Sequence, residues 1–193
     1  MSIGMAAKIN LIGNLIIYIV DYCKKSSTPL YQTKLLKLLY LIDEESVIQN
    51  GTPITWLDYA VWQKGPVPTD IYFSKLSHTN ALEKYVSFED RSNKCLVVKK
   101  REFEDTNFSE IDLEIIGSIL SKYGKLTSEE LITITHKEGS LWSNIVEEKN
   151  IKFSQKNHTS NVCIDFSKLI TGDKFKQFNY WAARECLETN LSL

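Results

Sequence analysis

The side chains able to do chemistry are scattered along this chain rather than gathered into a motif. Its histidines, His78, His136 and His158, stand apart, and His136-Lys-Glu138 lacks the second ligand at helical spacing that a zinc-binding helix needs. A metal ligand or general base at His136 competes with a plainer role, the closing of a helix or a buried hydrogen bond. The cysteines Cys23, Cys95, Cys163 and Cys186 contain no C-x-x-C pair. That spacing fits buried free thiols in a reducing compartment better than a disulfide framework or a zinc site. Nothing beside any cysteine points to a Cys-His nucleophile. The pairs Glu44-Glu45, Glu129-Glu130 and Glu147-Glu148 are adjacent in sequence, so on helices they point apart and read as solvated faces. Asn50-Gly-Thr-Pro53 and Lys64-Gly-Pro-Val67 read as turns and match no phosphate-binding loop. No catalytic residue, metal or cofactor is expected.

Basic residues offer two further possibilities. Lys99-Lys-Arg101 lies at the end of an expected strand, where lysines commonly protect an edge and where a nucleic-acid contact is the rival reading. Lys34 and Lys37 lie three apart on a leucine-rich helix and share a face. They suit phosphate contacts, or a core edge covered by their aliphatic stems. Two early helices followed by a hairpin also outline a winged-helix regulator. The second helix, however, is too apolar to read bases in a groove. With 23 basic and 24 acidic residues the net charge is −1, which gives no global attraction to nucleic acid or anionic lipid.

The elements that must position these residues follow from apolar spacing. The chain has 193 residues, 43% of them hydrophobic and 24% charged, enough to bury a core as one domain spanning 1–193. Ile9, Ile12, Ile16, Ile19 and Cys23 mark a buried first helix; its apolar run from Leu11 to Val20 is short of the roughly 20 residues a bilayer span needs. A cytoplasmic protein without a membrane partner is expected. Ser26-Ser-Thr28 and Pro29 stop that helix and offer caps to a second, which carries Leu35, Leu36, Leu38, Leu39, Leu41 and Ile42 and fades at Asn50-Gly51. Thr52 to Val67 is extended, with a break at Gly65-Pro66. Pro68-Thr-Asp70 starts a helix to about His78 that buries Ile71, Tyr72 and Leu76. Tyr85–Phe88 and Cys95–Val98 form a hairpin around the polar stretch 89–94. Helices follow over 109–123, closed by Gly124, over 127–135 behind the cap signal Thr127-Ser-Glu-Glu130, and over 140–148. A polar loop spans 151–161, and a last helical region runs from Phe166 to Leu187 with Phe175, Phe178 and Trp181. The fold class is mainly α with a small antiparallel β-hairpin, a single compact α+β domain.

Four blocks carry a resemblance. Lys34-Leu-Leu-Lys-Leu-Leu-Tyr40, Ala60-Val-Trp62-Gln-Lys-Gly-Pro-Val67, Tyr72, and Leu131-Ile-Thr-Ile-Thr-His136 through Trp142 follow one another at the spacing of the Panacea domain, the SocA-like antitoxin family also seen in phage-associated proteins. The likeness is strongest over residues 9–148, leaving 149–193 as a C-terminal helical extension. The chain departs from the family pattern at Leu36, often Gln; at Tyr59-Ala-Val61, often an acidic residue and alanine; at Lys64, often aromatic; and at Leu141, commonly Pro.

The resemblance implies an antitoxin that binds a toxin encoded by a neighbouring gene and neutralises it by direct contact, with translation-blocking enzymes among the toxins. The variant roles are an adaptor delivering the toxin to an ATP-dependent protease and, on the winged-helix outline, a DNA-binding regulator. The family-matching partner-binding candidates are Lys37, Tyr40, Trp62, Gly65, Pro66, Tyr72, His136 and Trp142. Trp56, Trp62, Tyr72 and Trp142 are also of the residue types that dominate interface hot spots, each weighed against a place in the core.

Overall fold

The computed structural model describes residues 3–72 and 81–192. Helix α1 (Ile3–Lys25) turns Ile12, Ile16, Ile19 and Cys23 into the core at the spacing of one helical face. The helix is longer than its apolar run suggested. By length and composition alone its Ala6–Lys25 stretch is long and apolar enough to cross a membrane, which corrects the expectation that it is too short. In the fold its apolar face is packed against the other elements.

Helix α2 (Gln32–Asn50) is the central element. Leu35, Leu36, Leu38, Leu39, Leu41, Ile42 and Val47 are each exposed by 5% or less, too many directions for a surface helix. Burial of a side chain of this kind is worth roughly 1.5–3 kcal/mol. Gly51 ends the helix in the left-handed conformation, its N–H bonded to Val47 O. The expected caps Ser26–Thr28 lie too early. Thr28 instead donates its N–H and hydroxyl to Cys23 O and closes α1, and α2 starts after Tyr31 without a side-chain cap.

Strands β1 (Tyr59–Trp62) and β2 (Gly65–Pro68) pair antiparallel, with Tyr59 opposite Pro68 and Trp62 opposite Gly65. The turn is therefore Gln63-Lys64, and the expected break at Gly65-Pro66 is the first half of β2. Two prolines are tolerated in this strand because it is an edge, where their missing N–H groups cost no ladder bond. A single 3-10 turn (Thr69–Ile71) follows. Beyond Tyr72 the expected helix, with Leu76 and His78, lies outside the described residues. Tyr72 itself, expected in the core, is 38% exposed, and Ile71 is half-buried.

Strands β3 (Val86–Arg91) and β4 (Lys94–Lys99) extend through the polar stretch to a two-residue turn. Ser92 and Asn93 both take positive φ, 50° and 64°, matching the right-handed twist of a tight hairpin. Of the basic cluster at its end, Lys99 pairs with Asp21 at 2.8 Å and with Glu102, while Arg101 pairs with Glu104.

Helices α3 (Glu110–Tyr123) and α4 (Ser128–Thr135) open with reciprocal capping boxes, Ser109 with Asp112 and Thr127 with Glu130. Helix α5 (Leu141–Glu148) is capped by Ser140. After a 3-10 turn (Phe166–Ile170), helix α6 (Lys174–Ser192) buries Tyr180 and leaves Phe175, Phe178 and Trp181 facing outward. Of the cysteines only Cys23 is fully buried. Cys95 is half-buried and Cys163 and Cys186 are exposed, so the buried-thiol expectation fails for these two: Cys163 alternates with the inward Ile164 along the edge of β1, and Cys186 lies on the outer part of α6. The architecture is a mainly helical α+β domain with two small antiparallel sheets.

Gly13, in the middle of α1, lies against the face of Tyr85; a Cβ built there would overlap that ring. Helix propensity alone favours alanine by about 1 kcal/mol. Overpacking of this kind costs about 1–3 kcal/mol. Gly13→Ala is therefore expected to lower the thermal midpoint by several degrees, measured by circular dichroism. A rise would mean that Tyr85 moves aside freely.

Candidate functional site

Two charged side chains of opposite sign leave α2 into the core. Asp43, fully buried, accepts a hydrogen bond from Thr55 N (2.8 Å), one from the Thr55 hydroxyl, and one from Tyr59 Oη (2.7 Å). Burial pushes its carboxyl up to about 6, against the lowering effect of these donors. Six residues earlier, Lys37 is 1% exposed and donates to Pro66 O at 2.6 Å. Burial lowers its ammonium to about 7, and no opposite charge offsets that effect. Tyr59 begins β1 and Pro66 lies in β2, so α2 grips each strand of the hairpin by one charged group.

The other family-matching residues converge on the same backbone. Trp142 Nε1 donates to Trp62 O (3.0 Å). His136 places Nε2 3.0 Å from Gln63 O and Nδ1 2.6 Å from Ile132 O. Both ring nitrogens thus face backbone carbonyls, the role of a tie between α4 and the hairpin. Its ring lies 3.7 Å from that of Trp142, centroid to centroid. Among the described residues no group of three His, Cys, Asp or Glu side chains is placed to hold a metal.

Gly65 stands at the crossing point. Its φ of 96° closes the Gln63-Lys64 turn, and a Cβ there would lie 2.8 Å from Thr135 Oγ1 and 3.0 Å from Lys37 Cε. Lys37, Gly65, Pro66, His136 and Trp142 are therefore brought together, mostly beneath the surface. Trp62, half-buried, meets the exposed Tyr72 edge to face at 5.1 Å. Tyr40 is not part of this group. It is buried one turn further along α2, stacked on Phe166 and edge to face with Tyr59, with its hydroxyl donated to Glu44 (2.6 Å).

Sequence reasoning missed the far side of the hairpin. The segment 158–164, expected to be polar loop as far as Asn161, runs along the free edge of β1. Val61 N donates to Val162 O (2.8 Å), Gln63 N to His158 O (2.9 Å), Ile164 N to Tyr59 O (2.8 Å) and Ser160 Oγ to Val61 O (2.7 Å). The alternation Val162, Ile164, Phe166 was the available signal, a strand-like period of two. Lys34, beside Lys37 on the helix, is also buried, which removes it from the solvent a phosphate contact would need.

Fold and site together define a mainly helical domain built around a β-hairpin whose backbone is tied down on both sides. The family model described as antitoxin SocA-like, Panacea domain, matches residues 35–143, more than half of the chain, and the chain belongs to that family. The match is shorter than the 9–148 of the resemblance, and α1 and α6 lie outside it. No curated protein and no solved structure matches the chain.

Two substitutions test the geometry. Gly65→Ala forces alanine into a left-handed conformation, at about 1–2 kcal/mol. It also drives a methyl group against Thr135 and Lys37, for a further 1–3 kcal/mol or so. The thermal midpoint is expected to fall on the order of 5–15 °C; a change within 2 °C or so would show that the hairpin is not locked there. For Lys37 the sign follows from its lowered folded value. Between about 7 and 10.5 the unfolded chain binds a proton that the folded chain does not, so this residue makes stability rise with pH across that window and is most costly below it. Lys37→Met removes this dependence. Urea titrations at pH 6 and pH 10 should show the variant gaining on the wild type by a few kcal/mol at the lower pH; equal differences at both would mean the ammonium is not desolvated.

Proposed function

We propose that this protein is an antitoxin that binds a toxin encoded by a neighbouring gene and neutralises it by direct contact, in the cytoplasm and without catalysis. Membership of the antitoxin family supports the class of activity. The observation that carries direct binding is the clamped hairpin. Trp62 O and Pro66 O each accept a side-chain hydrogen bond from a different element, and His136 Nε2 lies against Gln63 O from a third, so the exposed tip Gln63-Lys64 is held in shape before any partner arrives. Preorganisation of this kind lowers the ordering cost of association. Beside the tip, Tyr72 and the outer part of Trp62 supply aromatic surface of the type that dominates binding energy. A promoter-binding role is less favoured: Lys99 and Arg101, the residues nearest to a basic patch, are engaged by carboxylates.

Growth rescue tests the proposal. Each flanking gene is induced alone and together with this protein. Arrest by one neighbour and recovery on co-expression is the expected result, and co-purification of the pair then separates lasting inhibition from delivery to a protease, which would leave no toxin to purify. Tyr72→Ala should keep the melting temperature within 2 °C or so and reduce rescue, since the ring is exposed and its removal opens no large cavity. Full rescue by this variant would place the contact surface elsewhere on the molecule, and a toxin-free neighbourhood would overturn the antitoxin reading.

A further inference from the structure

Against the hairpin tip lies a cavity of about 280 Å³, walled by Leu36, Lys37, Trp62, Lys64, Tyr72 and His158 among others. Among the described residues its charged and titratable side chains are two lysines and a histidine, with no carboxylate on its walls. Lys37 is the most deeply buried of these residues, and the one hydrogen bond described for its ammonium goes to Pro66 O. A second cavity of about 360 Å³ adjoins it through Thr33, Lys64 and Tyr72; it adds Lys94 and a single acidic residue, Glu129. The mouth carries the aromatic rings of Trp62 and Tyr72, and the inner wall carries Lys37, which has no anionic partner among the described residues.

We propose that this cavity is the specificity pocket of the toxin-binding surface and that it receives an aspartate or glutamate side chain of the toxin, whose carboxylate pairs with Lys37 while Trp62 and Tyr72 cover the residues beside it. The inference rests on the antitoxin reading and adds the chemistry of the contact. Volume, charge and lining agree on it. The space holds one acidic side chain and part of a neighbour but no domain-sized element. A buried ammonium paired only with a carbonyl gains more from a carboxylate than any exposed lysine does, because solvent does not screen the pair. Trp62 and Tyr72 at the mouth cover that pair with apolar surface, as at the centre of a protein interface, and Lys64 adds a second positive charge at the rim. A neutral ligand would do nothing to stabilise the charged form of Lys37 that burial disfavours, so the pocket discriminates in favour of an acidic group.

The test uses the purified full chain and the toxin that growth rescue identifies. Affinity is measured by calorimetry for wild type and Lys37→Met, against wild-type toxin and against variants in which each surface Asp or Glu is replaced by its amide. Lys37→Met is expected to weaken binding at least tenfold. One amide variant should lose a similar factor, and the two losses should not multiply when combined. Binding at pH 8 should also take up protons in the wild type and not in Lys37→Met, because pairing recharges a lysine that burial has lowered to about 7. His158 and Lys64 share the cavity, so that uptake is compared with His158→Gln and Lys64→Gln variants, which should retain it. If Lys37→Met does not fold, the ¹³Cε resonance of Lys37 in the wild-type protein decides: it should shift on binding wild-type toxin and not the critical amide variant. Equal affinity for Lys37→Met, or amide losses that all multiply independently, overturns the pocket and leaves the antitoxin reading standing. No binding by the wild-type pair overturns both.

Discussion

The fold depends on helix α2 carrying both a cation and an anion into the core. A buried charge costs several kcal/mol unless its surroundings supply strong hydrogen bonds. Asp43 finds three donors on Thr55 and Tyr59, and Lys37 finds Pro66 O. Neither finds the other, because six residues along a helix place them on different sides. The consequence is geometric. Each charge is satisfied only if the chain after α2 returns to it, one by way of Thr55 and β1, the other by way of β2. The hairpin is thus fixed by the requirement of two buried groups rather than by its own two-stranded ladder, which is marginal alone.

The same logic explains why so many polar contacts at the site end on backbone carbonyls. A two-stranded sheet leaves a row of unpaired N–H and C=O groups on each edge. On the β1 edge the segment 158–164 takes up Val61 N, Gln63 N and Tyr59 O, while Ser160 takes Val61 O. At the turn, Trp142 and His136 reach Trp62 O and Gln63 O. On the β2 edge proline removes the donor and Lys37 satisfies the remaining acceptor. Residue types that suggest catalysis or a binding hot spot, such as His136 and Trp142, here set the shape of a surface. The side chains exposed between these ties are Gln63, Lys64, the outer part of Trp62, and Tyr72.

Where local physics decides structure, the sequence was legible. The leucine density of α2, the apolar spacing of α1, and the cap signal Thr127-Ser-Glu-Glu130 each announced an element that formed, because helix ends and helix faces are set within a few residues. The site was legible as a set of positions but not as an arrangement. Gly65-Pro66 carries the strongest turn composition in its region, yet it forms a strand, since the left-handed residue a tight turn needs follows the turn instead of filling it. Lys37 reads as a helix-surface lysine, and only the packing of α3, α4 and β2 around α2 shows that it has no surface to reach. Tyr72 failed in the opposite sense: an aromatic in an expected helix carries an expectation of burial that only tertiary structure can refuse.

The bounds of the family match give these contacts a division of labour. Residues 35–143 begin within α2 and end one residue beyond Trp142. They contain Lys37 and Asp43, the whole hairpin, His136 and Trp142, that is, two charged anchors on α2 and the two side chains that hold the turn, while the buried Lys34 lies just outside them. Outside them lie α1, the 158–164 edge segment and α6. These supply apolar cover and the β1 edge bonds, functions that depend on backbone hydrogen bonding and hydrophobic area more than on particular side chains. A surface shaped by buried ties and carried on such a cover leaves its exposed tip residues free to vary in identity without loss of the hairpin. Of the four departures from the pattern of the resemblance, Leu36 and Tyr59-Ala-Val61 lie in the core, and the other two fall at a turn and at a helix start. Lys64, which stands where an aromatic is common, lies on the exposed turn, and Leu141, which stands where proline is common, falls at the first position of α5, where a missing N–H would break no helical bond. Both changes fall where the scaffold tolerates them, and the first of them puts a positive charge at the rim of the cavity that Lys37 lines.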